Sequence, residues 1–368
     1  MFKTPHLVVS ISGHGFGHVA QTAPVLNALH RLMPQLRITV RSSVAASQLR
    51  ARIHAPFIHL PSMGDIGMVM TTALEVNIEK SRAAYREFHA DWDTRVEQEA
   101  CLLHELQADL VFSNVGYLPL AGAQKAGIPG VALCSLNWAD IYRHYCCAPL
   151  ACQTETIAAQ IQACYANADA FLRTAPGMPM SDLANLIPVA PIAAVGSNRR
   201  DELNLRLRLA KGEKLVLVSM GGIDSRLPVE NWPEIKGVHY LVPAAWQACP
   251  ELNRRDEHVI SLESLPVSFS DLMASSDALL CKPGYGSFVE ATCSGIPVLY
   301  VGRPDWPESP ALISWLQQHG TSREISQDAL AQGDIGCELE QLWRMSKPEA
   351  VAPSGALQVA AWLSKKLN

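Results

Sequence analysis

The sequence predicts an α/β protein with two lobes that face one cleft, each lobe being built on a parallel sheet. The chain has 368 residues, which exceeds the size of a usual single domain. Short apolar runs alternate with helix-like segments in both halves of the chain, and strands that alternate with helices indicate a parallel sheet. A glycine-rich turn follows an apolar run in each half. These three observations together predict two Rossmann-like lobes.

The first half begins with a strand-helix-strand unit. Its apolar runs lie at residues 7–11 and 37–42, on either side of a glycine turn and a helix-like stretch at residues 20–32. A second unit of the same kind occupies residues 108–135. Between the two units, residues 81–107 place large apolar side chains among charges, which predicts one long amphipathic helix.

The same alternation restarts after residues 174–198, a segment that is rich in proline and poor in charge. Regular helix is excluded there for most of its length. We expect the linker near its end, which predicts an N-terminal lobe at residues 1–196 and a C-terminal lobe at residues 197–350. Residues 351–368 include a short amphipathic helix that either lobe could hold. The apolar runs of the second lobe lie at residues 214–222, 237–243, 258–262, 278–282 and 297–302.

The composition excludes several classes of function. Hydrophobic residues make up 48% of the chain and charged residues 18%, as in compact globular proteins. The net charge is −5, whereas nucleic-acid binding needs a concentrated basic surface, so no nucleic-acid partner is expected. The ten cysteines form no CxxC pair, so no metal site is expected. The sequence shows no export signal and no apolar run near the roughly 20 residues that span a bilayer, so we expect a cytoplasmic protein without a transmembrane segment.

The turn after the first apolar run has the sequence SGHGFGH at residues 12–18. A strand that ends in glycines before a helix lets an anion approach backbone N–H groups at the helix N-terminus. The next strand does not end in an acidic residue, which disfavours NAD as a cofactor. The glycines expected to contact a ligand are Gly13, Gly15 and Gly17.

The same turn carries His14 and His18. Imidazole titrates near neutral pH, and ligand sites of parallel sheets lie at such strand-to-helix turns. Either side chain is therefore a candidate general base. The alternative is that one of them only caps the helix or bonds a loop carbonyl.

A second glycine turn, in the other half, joins a strand, a helix and a further strand without a gap. Gly284 and Gly286 can present N–H groups to a diphosphate. Glu290, farther along the helix, can accept two hydrogen bonds from the diol of a ribose. The alternative is that Glu290 only contributes a favourable charge near the helix N-terminus.

Two further turns follow strands of the second half. Gly221 and Gly222 either bring backbone amides to the same phosphates or form an ordinary turn. Arg303, Asp305 and Glu308 lie just past another strand end, where they either bind sugar hydroxyls or only occupy a proline-stiffened loop.

Taken together, GHGFGH at residues 13–18 and KPGYGSFVEATCSGIPV at residues 282–298 resemble GT-B glycosyltransferases, in particular the group that contains the UDP-N-acetylglucosamine transferase of peptidoglycan synthesis. Residues 65–81 and 135–142 resemble segments of the glycosyltransferase-like N-terminal region of plant arabinokinases. The resemblance implies two Rossmann-like lobes, with a nucleotide-sugar donor held by the C-terminal lobe and an acceptor held by the N-terminal lobe. It also implies that the C-terminal helix crosses back to the first lobe.

The resemblance further implies roles for single residues. Glu290 matches a glutamate that contacts the ribose, and His18 matches a histidine beside the reaction centre. The donor side is expected to comprise Gly221, Gly222, Leu262, Lys282, Gly284, Tyr285, Gly286, Ser287 and Glu290. The sugar or acceptor side is expected to comprise Gly13, Gly15, Gly17, Asp65, Asn137, Arg303, Asp305 and Glu308.

We therefore expect a metal-independent glycosyltransferase that moves a sugar from a nucleoside diphosphate sugar to an unidentified acceptor, with the nucleotide sugar as substrate and no separate cofactor. Backbone N–H groups and a helix dipole would take the place of a metal cation. No kinase unit follows in this sequence, so kinase activity is not expected, and the lack of a basic-apolar patch disfavours a lipid acceptor. The alternatives are a nucleotide-sugar epimerase or hydrolase on the same fold, and a non-catalytic protein that binds a nucleotide or nucleotide sugar.

Overall fold

The computed structural model describes residues 4–147, 152–222, 226–246 and 258–368. The first lobe contains a parallel sheet with the strand order β3-β2-β1-β4-β5-β6-β7. Its strands are β1 (His6–Ile11), β2 (Arg37–Arg41), β3 (Ile58–Leu60), β4 (Leu110–Asn114), β5 (Gly130–Cys134), β6 (Ala170–Thr174) and β7 (Leu186–Val189). Its helices are α1 (Gly17–Leu32), α2 (Ala46–Arg50), α3 (Ile78–Ala90), α4 (Trp92–Glu105), α5 (Leu118–Ala126), α6 (Trp138–Cys146) and α7 (Cys152–Ala166).

The second lobe contains a parallel sheet with the strand order β10-β9-β8-β11-β12-β13. Its strands are β8 (Lys214–Ser219), β9 (Val238–Val242), β10 (Val259–Ser261), β11 (Ala278–Cys281), β12 (Val298–Val301) and β13 (Ser322–Ile325). The helices that follow the first lobe are α8 (Arg200–Leu207), α9 (Phe269–Ser275), α10 (Tyr285–Cys293), α11 (Ser309–His319), α12 (Gln327–Gln332), α13 (Gly336–Arg344) and α14 (Gly355–Leu367). The predicted α/β class with two Rossmann-like lobes is confirmed.

The strand order places the predicted turns at the carboxyl ends of the sheets. Every residue of β1, β4 and β5 is buried, which is typical of parallel strands covered on both faces. The order reverses between β1 and β4 in the first sheet and between β8 and β11 in the second. The loops after such neighbouring strands run to opposite faces and leave a crevice where ligands bind. The predicted histidines and glycine turns follow these strands.

The last helix, α14, returns to the first lobe. Val359, Ala360 and Leu363 on its buried face belong to the same core cluster as Leu26 and Leu29 of α1. The burial of this apolar face fixes the helix on the first lobe. The crossing that the resemblance implied is thereby confirmed.

The sequence did not indicate four short strands, namely β3, β6, β7 and β13. Strands of three to five residues are too short to show a clear period. One of these strands, β7, lies within the proline-rich segment and contains Pro188. The strand tolerates this proline because it lies at the edge of the first sheet. The lobe boundaries expected after residues 196 and 350 stay predictions.

The prediction of one long helix at residues 81–107 is wrong. The segment forms two helices: α3 ends at Ala90, and α4 begins at Trp92. Between them Asp91 has φ −114° and ψ 44°, which lies outside the helical region. The apolar pattern continues across this break because both helices bury one face in the first lobe.

Candidate active site between the two lobes

His18 lies in the first turn of α1, and its ring reaches the end of β4. The side chain is buried, and its Nδ1 lies 2.9 Å from Oδ1 of Asn114. Burial lowers the pKa of His18 to about 4, and the hydrogen bond with Asn114 opposes this shift. The ring is therefore neutral near pH 7 and can accept a proton.

His14 lies in the glycine turn at the interface of the two lobes. Its ring stacks on Trp306 of the second lobe at a centroid distance of 5.8 Å and meets Trp138 edge-on at 5.0 Å. Nε2 is buried and has no hydrogen-bond partner among the described residues, while the ring also bonds the backbone of Met68. Burial is the main cause that lowers the pKa of His14 to about 3, and nearby cationic side chains add to it. His14 thus makes the kind of bond to a loop backbone that the sequence left open as an alternative role for one of the two histidines.

Asp65 holds Trp138 in place beside His14. Its Oδ2 accepts a hydrogen bond from Nε1 of Trp138 at 3.0 Å, and its Oδ1 accepts one from Oγ of Ser12 at 2.9 Å. Burial raises the pKa of Asp65 to about 6, against the effect of these two bonds. The structure thus places Asp65 next to the predicted site, and its contact with an acceptor stays a prediction.

The two buried histidines are expected to make the folded protein less stable in acid. The pKa of His14 is about 3 and that of His18 about 4 in the folded protein, against 6.5 for an unperturbed histidine. The unfolded chain therefore binds more protons, so this contribution to stability is complete above pH 6.5 and is lost as the pH falls to about 4 for His18 and to about 3 for His14. Asp65 acts in the opposite direction, because its raised pKa makes the folded protein bind more protons between its unperturbed 3.8 and about 6.

Urea unfolding at a series of pH values measures this effect. The midpoint of the wild-type protein is expected to fall as the pH is lowered from about 7 to about 4.5. A double variant with His14→Gln and His18→Asn is expected to lose less of its own stability over the same range, since neither replacement titrates. Equal slopes for the two proteins would contradict the assignment of these pKa values.

Lys282 follows β11 and faces the turn after β8. A Cβ atom added to Gly221 would lie 3.7 Å from its Nζ, and Gly221 itself has φ +84°, a conformation that favours glycine. Burial lowers the pKa of Lys282 to about 8, and the charge of Arg303 adds to this. In the described part of the chain, no ion pair includes Lys282. The rest of the predicted turn, residues 223–225, lies outside the described ranges.

Arg303 connects the second lobe to a loop of the first. Its Nε donates a hydrogen bond to the backbone oxygen of Leu74 at 3.1 Å, and its guanidinium lies 4.0 Å from the ring centroid of Trp306. Burial lowers the pKa of Arg303 to about 10. The side chain therefore helps to hold Trp306 against His14. Asp305, which was expected to share its role, has an exposed side chain.

Glu308 makes a second polar contact between the lobes. Its Oε1 accepts a hydrogen bond from Oγ of Ser135 at 2.5 Å, and its Oε2 accepts one from Nε1 of Trp306 at 3.2 Å. The side chain is buried, which raises the pKa of Glu308, while the two bonds and the nearby cations oppose the shift. The predicted residue therefore lies at the cleft, bonded to the first lobe.

Two residues predicted on the donor side are engaged in contacts outside the second lobe. Oε1 of Glu290, a buried residue of α10, accepts a hydrogen bond from Arg52 at 2.5 Å. The hydroxyl of Tyr285 bonds the side chain of Thr174 and accepts a hydrogen bond from the backbone N–H of Ile192 at 2.9 Å. Their contacts with a donor stay predictions.

The remaining predicted residues lie near the cleft or support local structure. The buried side chain of Asn137 caps α6 by accepting a hydrogen bond from a backbone N–H at 2.8 Å. A Cβ atom on Gly222 would lie 2.9 Å from the backbone nitrogen of Phe16, so the glycine turns of the two lobes touch. The other predicted positions follow strand ends or lie in the first turn of the next helix: Gly13, Gly15, Gly17, Leu262, Gly284, Gly286 and Ser287.

Trp138 and Trp306 contact His14 in the candidate site, and the sequence did not indicate them. Each stands just past a strand end, in a segment that was singled out for other reasons. Both side chains are buried where the lobes meet, and a large aromatic residue just past a strand end is the signal that could have indicated them. Arg52 and Asn114 were also missed, because their importance depends on partners that lie far away in the sequence.

The described residues contain neither a metal-binding cluster nor a membrane-spanning helix. No group of three or more His, Cys, Asp or Glu side chains in these ranges is arranged to hold a metal ion. Within the same ranges, no helix combines the length and the apolar character needed to cross a membrane.

No protein-family model matches the chain. L-arabinokinase of Arabidopsis thaliana is 26% identical over 343 residues, which are 92% of this chain and only 32% of that protein. The solved glycosyltransferase of kitacinnamycin has a TM-score of 0.64 at 14% identity, with 100% of both chains covered. A solved UDP-N-acetylglucosamine 2-epimerase has a TM-score of 0.53 at 15% identity, covering 99% of this chain and 96% of its own. The chain has the two-lobed GT-B fold, and proteins named for different reactions share it.

Proposed function

We propose that this chain is a glycosyltransferase that moves a sugar from a nucleoside diphosphate sugar to an acceptor held by the first lobe. One observation carries the proposal: a neutral buried histidine at the start of α1 lies on the helix that meets the N-terminus of α10, which no side chain caps, and the second lobe adds there an ammonium group with no ion pair among the described residues. Such an arrangement can deprotonate an acceptor on one side and stabilise a departing diphosphate on the other.

The second lobe offers the groups that a diphosphate needs. Helix α10 begins after Gly284, no side chain caps its N-terminus, and its first turn contains no acidic residue. The free N–H groups and the helix dipole favour an anion there. Lys282 adds a positive charge beside the neighbouring turn. Because these groups can balance the charge of the leaving diphosphate, the proposed mechanism uses no metal ion.

The first lobe offers the base. In the proposed reaction the acceptor oxygen or nitrogen attacks the anomeric carbon and gives its proton to His18. The bond from that carbon to the phosphate oxygen breaks, and the nucleoside diphosphate leaves with the electron pair. His14, whose buried Nε2 has no partner in the described residues, can orient the acceptor by a hydrogen bond. Trp138 and Trp306, which flank His14 and are buried, hold its ring in place where the two lobes meet.

Donor binding through Glu290 requires a change at its ion pair with Arg52. The carboxylate is almost fully buried, with 3% of its side chain exposed, whereas the Arg52 side chain is 22% exposed. A ribose diol can take both carboxylate oxygens only where Arg52 has moved aside. Since the two residues belong to different lobes, we propose that the donor enters when the lobes separate.

A thermal-shift screen tests the donor site. UDP, GDP, dTDP, CDP and ADP, and their sugar derivatives, are compared with the matching nucleosides, which lack the diphosphate. A ligand that binds only the folded protein raises the melting temperature by mass action, so at least one diphosphate series is expected to raise it more than its nucleoside does. The absence of a shift with every compound would contradict the proposal.

Lys282→Met is expected to weaken nucleoside diphosphate binding by about 10-fold to 100-fold, because a hydrogen bond to a charged group contributes about 1.5–3 kcal/mol. Affinity for the nucleoside should stay the same, since that ligand has no group for the ammonium to bind. Calorimetric titration measures both, and Lys211→Met, at an exposed lysine of the same lobe, serves as the control. Unchanged diphosphate affinity in Lys282→Met would remove this residue from the donor site.

Product analysis separates transfer from other reactions of the same cleft. Transfer requires an acceptor and yields a new glycoside together with a nucleoside diphosphate. Free sugar formed without an acceptor would indicate a hydrolase, and an altered nucleotide sugar would indicate an epimerase. Binding with no turnover across a series of sugar acceptors would indicate a binding protein.

A further inference from the structure

We propose that Glu308 of the second lobe sets the tautomer of His18 in the first lobe, through a chain of hydrogen bonds that crosses the cleft. The inference rests on the proposed function only where it treats His18 as the base. Glu308 is in this view a positioning residue, because it acts on His18 through three other side chains.

The chain consists of five buried residues. Glu308 lies 2.5 Å from Oγ of Ser135, and the same oxygen lies 2.8 Å from Nε2 of Gln21. Oε1 of Gln21 lies 3.0 Å from Nδ2 of Asn114. Oδ1 of Asn114 lies 2.9 Å from Nδ1 of His18. The contacts are continuous, and water has little access to any of them.

The carboxylate at one end determines the direction of every bond. A carboxylate only accepts, so Ser135 donates its hydroxyl hydrogen to Glu308. The oxygen of Ser135 then accepts from the amide N–H of Gln21, whose carbonyl oxygen accepts from the amide N–H of Asn114. The carbonyl oxygen of Asn114 accepts from Nδ1–H of His18. The Nε2 atom of His18 therefore carries the lone pair that a general base needs.

The groups around the two ends support this direction. Nε1 of Trp306, which can only donate, bonds the second oxygen of Glu308 at 3.2 Å. Burial raises the pKa of Glu308, and the bonds from Ser135 and Trp306 together with the charges of Lys282 and Arg303 oppose this shift in favour of the carboxylate. At the other end, Sγ of Cys134 lies 3.8 Å from Nδ1 of His18. A thiol is a weak donor, so it competes poorly with the amide chain for the opposite tautomer.

The chain makes the tautomer depend on contact between the lobes. Ser135 belongs to the first lobe and Glu308 to the second, and the bond between them is the link that lobe separation breaks. Without the carboxylate, Ser135 can donate to Gln21 instead, and both amides can reverse. Closure of the cleft thus prepares His18 as a base at the moment when the substrates are enclosed.

Nitrogen NMR of the imidazole rings in the ligand-free protein at neutral pH tests the inference, because protonated and unprotonated ring nitrogens have distinct signals. The wild-type protein is expected to hold His18 as the Nδ1–H tautomer. Ser135→Ala is expected to lower the ratio of this tautomer to the other by about fivefold to tenfold, the change that corresponds to one neutral hydrogen bond. Glu308→Gln is a second variant with the same expected direction, since its amide can donate to Ser135 where the carboxylate cannot.

Cys134→Ala is the control, because it removes the thiol that contacts His18 and also bonds the side chain of Ser135, while all five residues of the chain are kept; the Nδ1–H tautomer should persist. The inference is overturned if wild-type His18 is the Nε2–H tautomer, or if folded Ser135→Ala and folded Glu308→Gln both keep the wild-type ratio. Melting curves establish which variants are folded. The signal needs no substrate, so failure of the nucleotide screen would reject the proposed function while the NMR result stands independently.

Discussion

Replacing His18 with asparagine is expected to lower donor turnover by about 10²-fold to 10⁴-fold, the range that general acid–base catalysis contributes. The shorter amide can still donate to Oδ1 of Asn114, which now bonds Nδ1 of the imidazole, so packing is largely kept. What is lost is the nitrogen that takes the proton. The measurement is release of nucleoside diphosphate from the nucleotide sugar with the largest thermal shift, in the presence of a series of sugar acceptors.

Two comparisons make this result specific. His104→Asn changes an exposed histidine of the same lobe and should turn over donor at the wild-type rate. His14→Gln should have the smaller effect of the two site variants, because His14 is assigned to orientation of the acceptor. Wild-type turnover in His18→Asn would remove His18 as the base, and wild-type turnover in the double variant would remove both histidines.

Replacing Arg41 with leucine is expected to lower the free energy of unfolding by about 3–5 kcal/mol, the usual loss when one partner of a buried ion pair is removed. Arg41 in β2 and Glu99 in α4 are each only 6% exposed. The guanidinium bonds both carboxylate oxygens, the second at 2.8 Å, and also donates to Ser62 at 3.0 Å. Without Arg41 the carboxylate of Glu99 stays buried and has no other ion-pair partner among the described residues.

An exposed ion pair on the same helix, α4, provides the control for this prediction. Lys125 of α5 pairs with Glu97 of α4 at 2.8 Å, with more than half of each side chain exposed. Lys125→Leu is expected to change the free energy of unfolding by no more than about 1 kcal/mol, since solvent screens an exposed pair. Urea unfolding at neutral pH compares the two variants. Similar losses in both would show that burial does not decide the strength of the Arg41 pair.

The two glycine turns were predictable from the sequence because they are local. SGHGFGH and KPGYGSF each follow an apolar run and precede a helix, and the carboxyl ends of parallel strands meet at one edge of a sheet. Elements that tertiary context decides were harder to predict. A single non-helical residue, Asp91, divides the expected long helix, and short strands such as β3 depend on a neighbouring strand for their hydrogen bonds.

The α/β class, the glycine turns at the strand ends and the presence of His14 and His18 in the first of them follow from the order of residues along the chain. The contacts of those side chains depend on how distant segments pack. His18 meets a residue 96 positions away, and Arg52 meets Glu290 across 238 positions. The periodicity of apolar residues predicts which face of a local element is buried. It does not predict which distant loop packs against that element, so the polar chain from Glu308 to His18 could be found only in the folded structure.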